Sequence, residues 1–250
     1  KAMERKRYDE RQREVIDAQK GYHLVLAPPG CGKTEVLAER IIHAHELGVD
    51  YGDMLCLTFT NRASRGMRER IEQMAGDSVD ELFVGNIHKF CSQFLFENEV
   101  LPMDTSILDE DDSVSIIADF LQQDDIAVQE DAKMRHQYSK IINLQHFMHQ
   151  YTSGYPRELT VHGEELNAQT LKHICAILMK EFTRESISEL YRNIDDYEQL
   201  AELNRNGEVQ NFIRMMSAAR HYEKYKRQHN LVDFADLLLY AYDTLKHGYS

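Results

Sequence analysis

The 250-residue sequence has no tryptophan, only four prolines and only four cysteines. Cys31, Cys56, Cys91 and Cys175 are scattered, and no C-x-x-C pair occurs. That spacing argues against zinc and against a disulfide framework, and it fits a reducing, cytoplasmic setting. Apolar runs of the ~18 residues that a membrane helix needs are also missing, and mean hydropathy is −0.54. No membrane association is expected. No pairing of a basic segment with an apolar one follows Lys1, so no signal peptide is visible; with no initiating Met, the chain reads as an excised segment. Positive charge is scarce: 29 Lys/Arg face 42 Asp/Glu, a net of −13. A basic surface gripping nucleic acid over its whole extent is excluded. Internal repeats and low-complexity linkers are absent as well. What remains, 42% hydrophobic and 28% charged residues, is ordinary for a globular chain of one or two domains.

The charge is unevenly placed. Residues 1–70 carry 13 Lys/Arg against 11 Asp/Glu, whereas residues 71–250 carry 16 against 31. A polyanion site is therefore expected in the first third. Residues 101–132 hold ten acidic side chains and no Lys or Arg, which reads as a solvated helix face. Asp109, Asp111 and Asp112 fail the calcium-loop template, which needs a glycine at its sixth position and a glutamate at its twelfth.

The first hundred residues alternate short apolar runs of strand length (23–27, 54–60, 82–87) with helical periodicity. Val36, Leu37, Ile41 and Ala44 place a helix over 34–47. Alternating strands and helices predict an α/β fold with a parallel sheet. Beyond Pro102 the spacing becomes helical throughout, as in Val114, Ile117 and Leu121, and again in Phe212, Met215, Met216, Ala219 and Tyr222. No strand alternation is visible there. The expected organisation is a first unit over 1–102, a helical subdomain over 103–230, and a returning helix over 231–250.

The strongest chemical signal is Ala27-Pro28-Pro29-Gly30-Cys31-Gly32-Lys33-Thr34, between a strand-like run and a helix-like one. Gly30 and Gly32 let the backbone turn with its amides inward. The N-terminus of the following helix adds partial positive charge. Lys33 can reach the β- and γ-phosphates of a nucleoside triphosphate, and the Thr34 hydroxyl can ligate Mg²⁺. Ala27 stands where the common G-x-x-x-x-G-K-S/T pattern has its first glycine.

Around that loop the sequence resembles the UvrD/Rep/PcrA-like superfamily 1 DNA helicases. Tyr8-Asp9-Glu10-Arg11-Gln12 is similar to the family's Q motif, and the resemblance implies that Gln12 reads the adenine of ATP. Leu55 to Ser64, with Thr58-Phe59-Thr60-Asn61-Arg62 at its centre, resembles motif Ia, which in the family touches single-stranded DNA. Phe59 offers a stacking face, Asn61 a hydrogen bond, and Arg62 and Arg65 phosphate contacts. Gly85-Asn86-Ile87-His88 resembles motif Ib, with Asn86 in place of the family's threonine; it implies a DNA-side role for Asn86 and His88. Ser106 to Asp112 is similar to the entry into the family's helical insertion, domain 1B, and Asp233-Phe234-Ala235-Asp236-Leu237-Leu238 to the helix that leaves it. The position after Thr34, frequently arginine in the family, is Glu35. It remains in the expected nucleotide set with Gln12 and residues 27–34.

The resemblance implies a RecA-like P-loop NTPase sheet, incomplete here, carrying an all-α insertion. It also implies ATP and Mg²⁺ as cofactors, and single-stranded DNA, duplex junctions and a second motor domain as partners. Hydrolysis in the family needs a D-E-x-Q-D segment on a buried strand, expected just after the D-F-x-D-L-L helix. The sequence reaches Ser250 without it, so little ATP turnover is expected from these 250 residues alone. Two other functions would also use the loop. A phosphotransferase would explain residues 30–34 but not 58–62 or His88. A nucleotide-regulated interaction module would use the acidic helical part.

Overall fold

The computed structural model describes residues 8–153, 164–197 and 207–248. The chain divides into two compact units, Lys1–Phe94 and Leu95–Ser250. Most of it is helical, with two short parallel strand pairs.

In the first unit, α1 (Glu10–Asp17) begins at a capping box. The Gln12 amide N–H donates to Asp9 Oδ1 at 2.8 Å, and the Asp9 N–H donates back to Gln12 Oε1 at 3.1 Å. Two otherwise orphaned donors are thereby satisfied. The helix α2 (Lys33–Glu46) follows the glycine-rich loop. After it come β1 (Leu55–Thr58), α3 (Asn61–Ala75), β2 (Phe83–Asn86) and α4 (Ile87–Glu97). Thr60 caps α3 by accepting from the Ala63 N–H, and Gly76 ends it in a left-handed conformation at φ +73°. The β1 and β2 strands pair in parallel, Leu55 opposite Phe83 and Thr58 opposite Asn86, with α3 as the crossover. Ala38 of α2, Met67 and Ile71 of α3, and Val79, Leu82 and Val84 form the core beneath that crossover. This is the α/β arrangement expected from the alternation, in a small sheet.

One predicted strand is not there. Residues 23–27 have no ladder partner among the described residues, and Leu24 and Leu26 are each 86% exposed. Their apolar character suits a strand buried on both faces, but a strand needs a neighbour to take its backbone hydrogen bonds. The segment enters the loop as irregular backbone.

At Gly85 the Phe83 ring occupies the space that a side chain would take. A Cβ there would lie 2.8 Å from the Phe83 ring, which lies across it. Phe83 packs edge-on against Phe90, with centroids 5.7 Å apart.

The second unit corrects the all-helical expectation. β3 (Ser106–Leu108) pairs in parallel with β4 (Leu231–Asp233), with Ser106 opposite Leu231. Three-residue strands are too short for alternation to register in sequence. Between them run α5 (Glu110–Phe120), α6 (Asp125–Glu130), α7 (Ala132–Ser153), α8 (Glu164–Ile177), α9 (Arg184–Arg192) and α10 (Gly207–Gln228), and α11 (Phe234–His247) follows β4. Asp109 caps α5 through a second capping box with Asp112, and Asp111 pairs with Arg135 at 2.8 Å. The acidic run is thus used at a helix start. Val114, Ile117, Leu144, Met148, Ile213 and Met216 are among the buried apolar side chains of a continuous core.

Inside that core lies a polar clamp. The Asp233 carboxylate oxygen Oδ2 accepts from the Tyr222 hydroxyl at 2.7 Å and from Lys226 Nζ at 3.2 Å. His146 Nε2 lies 2.7 Å from the same oxygen; a carboxylate only accepts, so this nitrogen carries the proton. Lys226 also donates to Asp236 Oδ2 at 2.7 Å and Gln145 Oε1 at 2.9 Å. Asp233 and Asp236 form the capping box of α11. One carboxylate therefore joins α7, α10 and the start of α11. Burial would raise the Asp233 pKa, but hydrogen bonding from His146 and the charges of His146 and Lys226 hold it far below the ordinary carboxylate value. Glu223 is likewise opposed by burial, yet its hydrogen bonds from His149 and Arg220 and the charge of Arg227 bring it down to about 2.

Because these two pKa values are depressed in the fold, their stabilisation is present above the unfolded value near 4 and is lost as pH falls below it. Asp233→Asn should flatten the acid limb of a stability-versus-pH curve. Lys226→Met should cost about 3–5 kcal/mol in denaturant unfolding, by leaving buried carboxylates without their cation. A loss under about 1 kcal/mol would contradict the clamp.

Candidate nucleotide-binding site

Two glycines set the shape of the 27–34 loop. Gly30 at φ +81° and Gly32 at φ +80° both occupy the left-handed region, and Gly32 is also the N-cap of α2. A side chain at either position would be strained although space is open around both. The left-handed turn delivers Lys33 and Thr34 to the first turn of α2, where both are exposed. Lys33 Nζ folds back over the loop, donating to the Ala27 and Pro28 carbonyls at 2.8 Å each. Gln12 stands beside it, with its Nε2 3.4 Å from the Cys31 carbonyl.

A cavity of about 310 Å³ opens between α1 and the loop. Gln12, Cys31, Lys33 and Pro28 line it, with Val15, Val36 and Leu37 as an apolar wall. That volume is at the lower end for a ligand site, and an apolar wall with few polar groups is the usual composition. The donor set suits a nucleoside triphosphate with its magnesium ion. The Lys33 ammonium and the N-terminus of α2 lie on the side that would take an anion, Thr34 offers a hard oxygen, and the Gln12 amide flanks the apolar wall.

Glu35 forms an ion pair with Arg70 of α3. Tyr8 donates to Glu39 Oε2 at 3.3 Å, and burial together with Glu39 pushes its hydroxyl up to about 12. Arg40 donates to the Val15 carbonyl at 2.8 Å and to that of Ala18. These contacts fasten α1 and α3 to α2, so the loop is anchored on both sides.

The residues expected to face DNA gather at the C-terminal ends of β1 and β2, where ligands of parallel sheets bind. Phe59, wholly exposed, and Asn61 follow β1; Asn86 ends β2 and His88 follows it. Because Thr58 and Asn86 are register partners, Asn86 Nδ2 reaches Asn61 Oδ1 at 2.9 Å. Asn86 Oδ1 accepts from the Lys89 N–H. Arg62 and Arg65 are exposed on α3. Arg68 is not part of that face, since it donates to the Val79 and Leu82 carbonyls and braces the core.

The sequence model of the UvrD/REP helicase N-terminal domain matches residues 8–249. The chain belongs to that family. Similar curated proteins include an ATP-dependent DNA helicase PcrA of Staphylococcus aureus strain Mu50, 32% identical over 119 residues, which make up 46% of this chain and 16% of that protein. PcrA of Bacillus subtilis strain 168 is 34% identical over 116 residues, 45% and 16% of the two chains. DNA helicase II of Salmonella typhimurium is 36% identical over 115 residues, 44% and 16%. The matched region thus spans about one sixth of each relative.

In this UvrD/REP-type domain, sequence reasoning missed three arrangements. The resting place of Lys33 on loop carbonyls has no signature, because backbone acceptors are present everywhere. The Glu35–Arg70 pair joins residues 35 apart, and only the helix packing brings them together. The clamp was visible in part, since a D-x-x-D spacing before an apolar run is a capping box in acidic form. His146, Asp233 and Asp236 come close enough to hold a cation, but the Lys226 ammonium already sits against both carboxylates. The fourth donor of that cluster is a cation itself. No helix among the described residues is long and apolar enough to cross a membrane.

Gly32→Ala should lower stability by about 1 kcal/mol through left-handed strain, read as an earlier denaturant midpoint; an unchanged midpoint would contradict the loop geometry. Burial lowers the His88 imidazole from its ordinary value of 6.5. An NMR titration should therefore place its midpoint below 6.5, and one above that value would contradict its half-buried setting.

Proposed function

We propose that the chain is the N-terminal ATP- and DNA-binding part of an ATP-dependent DNA helicase or translocase that moves on single-stranded DNA and opens duplex junctions. The observation that carries this is the placement, within one unit, of a lysine-bearing loop beside Gln12 and of exposed Phe59, Asn61, Arg62 and Arg65 at the ends of the parallel strands. The match to the UvrD/REP N-terminal domain and the names of the relatives support the same reading. Residues 1–102 act as the first part of a RecA-like domain, 103–230 as a 1B-like helical subdomain, and 231–250 as the helix returning to the RecA-like domain. A second motor domain is the expected partner, and the cytoplasm the expected location.

ATP with Mg²⁺ supplies the free energy of the reaction through cleavage of its terminal phosphoanhydride bond. The chain's residues bind and orient. Lys33 exchanges the carbonyls of Ala27 and Pro28 for phosphate oxygens, and the amides of residues 30–34 bind the polyphosphate at the positive end of α2. Ala27, Pro28, Pro29 and Cys31 shape the loop between the two glycines. Thr34 holds the metal ion, Gln12 selects adenine, and Glu35 flanks the site. On the DNA side, Phe59 stacks on a base, Arg62 and Arg65 contact phosphates, and Asn61, Asn86 and His88 hydrogen-bond the strand.

Hydrolysis further needs a carboxylate on the metal ion and one that positions the attacking water. The D-E-x-Q-D segment that the family resemblance implies for both roles does not occur in these 250 residues. These 250 residues are accordingly expected to bind ATP weakly at best and to show no appreciable turnover, with or without Lys33→Ala. Robust Mg²⁺-dependent turnover, abolished by Lys33→Ala, would contradict this. For a short single-stranded oligonucleotide, Phe59→Ala should cost about 1–3 kcal/mol of binding, with weak and salt-sensitive affinity overall because the net charge is −13. Equal binding by Phe59→Ala would remove that residue from the track.

A further inference from the structure

A glutamate in the first turn of α2 is electrostatically awkward for the function proposed above. Glu35 lies two residues beyond Lys33, on the helix whose N-terminus is the anion-binding end, so its negative charge opposes an incoming polyphosphate. The structure supplies a counterweight from a different element. Arg70 of α3 forms an ion pair with Glu35, and the two side chains are only 33% and 16% exposed. Beneath them, buried Ala38 of α2 meets buried Met67 and Ile71 of α3 in one apolar cluster, which holds the two helices at a fixed separation. Arg70 also donates to Gln73 on its own helix at 3.4 Å. Partly removed from solvent, the pair is screened less than a surface ion pair.

We propose that Arg70 is a positioning residue of the nucleotide site: by neutralising Glu35 it sets the phosphate-charge preference of the 27–34 loop without touching the nucleotide. This rests on the nucleotide reading of that loop. It separates from a purely structural role because its effect must grow with the charge of the ligand. An adenosine molecule has no phosphate for Glu35 to repel, ADP has fewer charges than ATP, and ATP has the most.

The test is a calorimetric titration of the purified chain with Mg²⁺-ATP, Mg²⁺-ADP and adenosine. Arg70→Ala should raise the Kd for ATP by about tenfold or more and that for ADP by less, leaving adenosine within about twofold. Arg70→Lys keeps the charge and should stay within about threefold of wild type for ATP. The double variant Glu35→Gln/Arg70→Ala removes both charges and should recover at least about threefold in ATP Kd relative to Arg70→Ala alone. The proposal is overturned if Arg70→Ala weakens all three ligands alike, if it leaves ATP binding unchanged, or if the double variant does not recover. Lys33→Ala is the control for the underlying reading. If it leaves ATP affinity unchanged, or if wild type shows no preference for ATP over adenosine, the loop is not a triphosphate site and the proposal falls with it.

Discussion

The first unit depends on one arrangement: an ammonium group held over a loop by the carbonyls of Ala27 and Pro28. Lys33 stands at the positive end of α2, where a cation is disfavoured by the helix dipole. Two carbonyl acceptors offset that cost in the absence of an anion, and the left-handed turns at Gly30 and Gly32 bring them within reach. The same geometry supports the nucleotide reading proposed for the loop. An anion with several oxygens can replace both carbonyls at once and also meet the helix N-terminus, which neither carbonyl can do. The loop is thus poised to exchange an internal pair of acceptors for an external set.

Everything around the loop limits how far it can move. Arg40 ties α2 to the end of α1, Arg70 ties it to α3, and Gln12 reaches the Cys31 carbonyl from the start of α1. Phe59 and Asn61 follow β1, and α3 begins at Asn61 itself. The residues proposed for nucleotide and those proposed for DNA are consequently set on the same short run of elements. The second unit reaches rigidity by other means. Its helices converge on the Asp233 carboxylate, which three donors from two helices share while it caps a third helix. Burying such a group is favourable only when it is fully hydrogen-bonded, and that requirement leaves few alternative packings for α7, α10 and α11.

Much of this was legible in the sequence, for physical reasons that differ from element to element. The loop could be read because glycine at left-handed positions followed by Lys33 and Thr34 is a local demand of phosphate chemistry. The α2 helix could be read because its apolar positions recur every three or four residues. The strands β1 and β2 could be read as apolar runs between turn signals. Residues 23–27 look the same, but strand formation depends on a neighbour, and that is not a local property. β3 and β4 are too short to show a period, and their register partners, Ile107 with Val232 and Leu108 with Asp233, lie 125 residues apart, close in space only after α5 to α10 have folded. The same limit applies to Arg70 and to the clamp. Their residue types are visible, but partner choice is decided by helix packing. In the candidate site, the family resemblance pointed to Gln12 beside the Lys33 loop, where the two line one cavity, and the resting state of Lys33 was not legible.

The most direct measurement of the central claim is a crystal structure of the chain with a non-hydrolysable ATP analogue and Mg²⁺. The account predicts that Lys33 Nζ leaves the Ala27 and Pro28 carbonyls for phosphate oxygens, with the amides of residues 30–34 directed at the same groups. A nucleotide bound elsewhere, or Lys33 still on those two carbonyls with the analogue present in the loop, would contradict it.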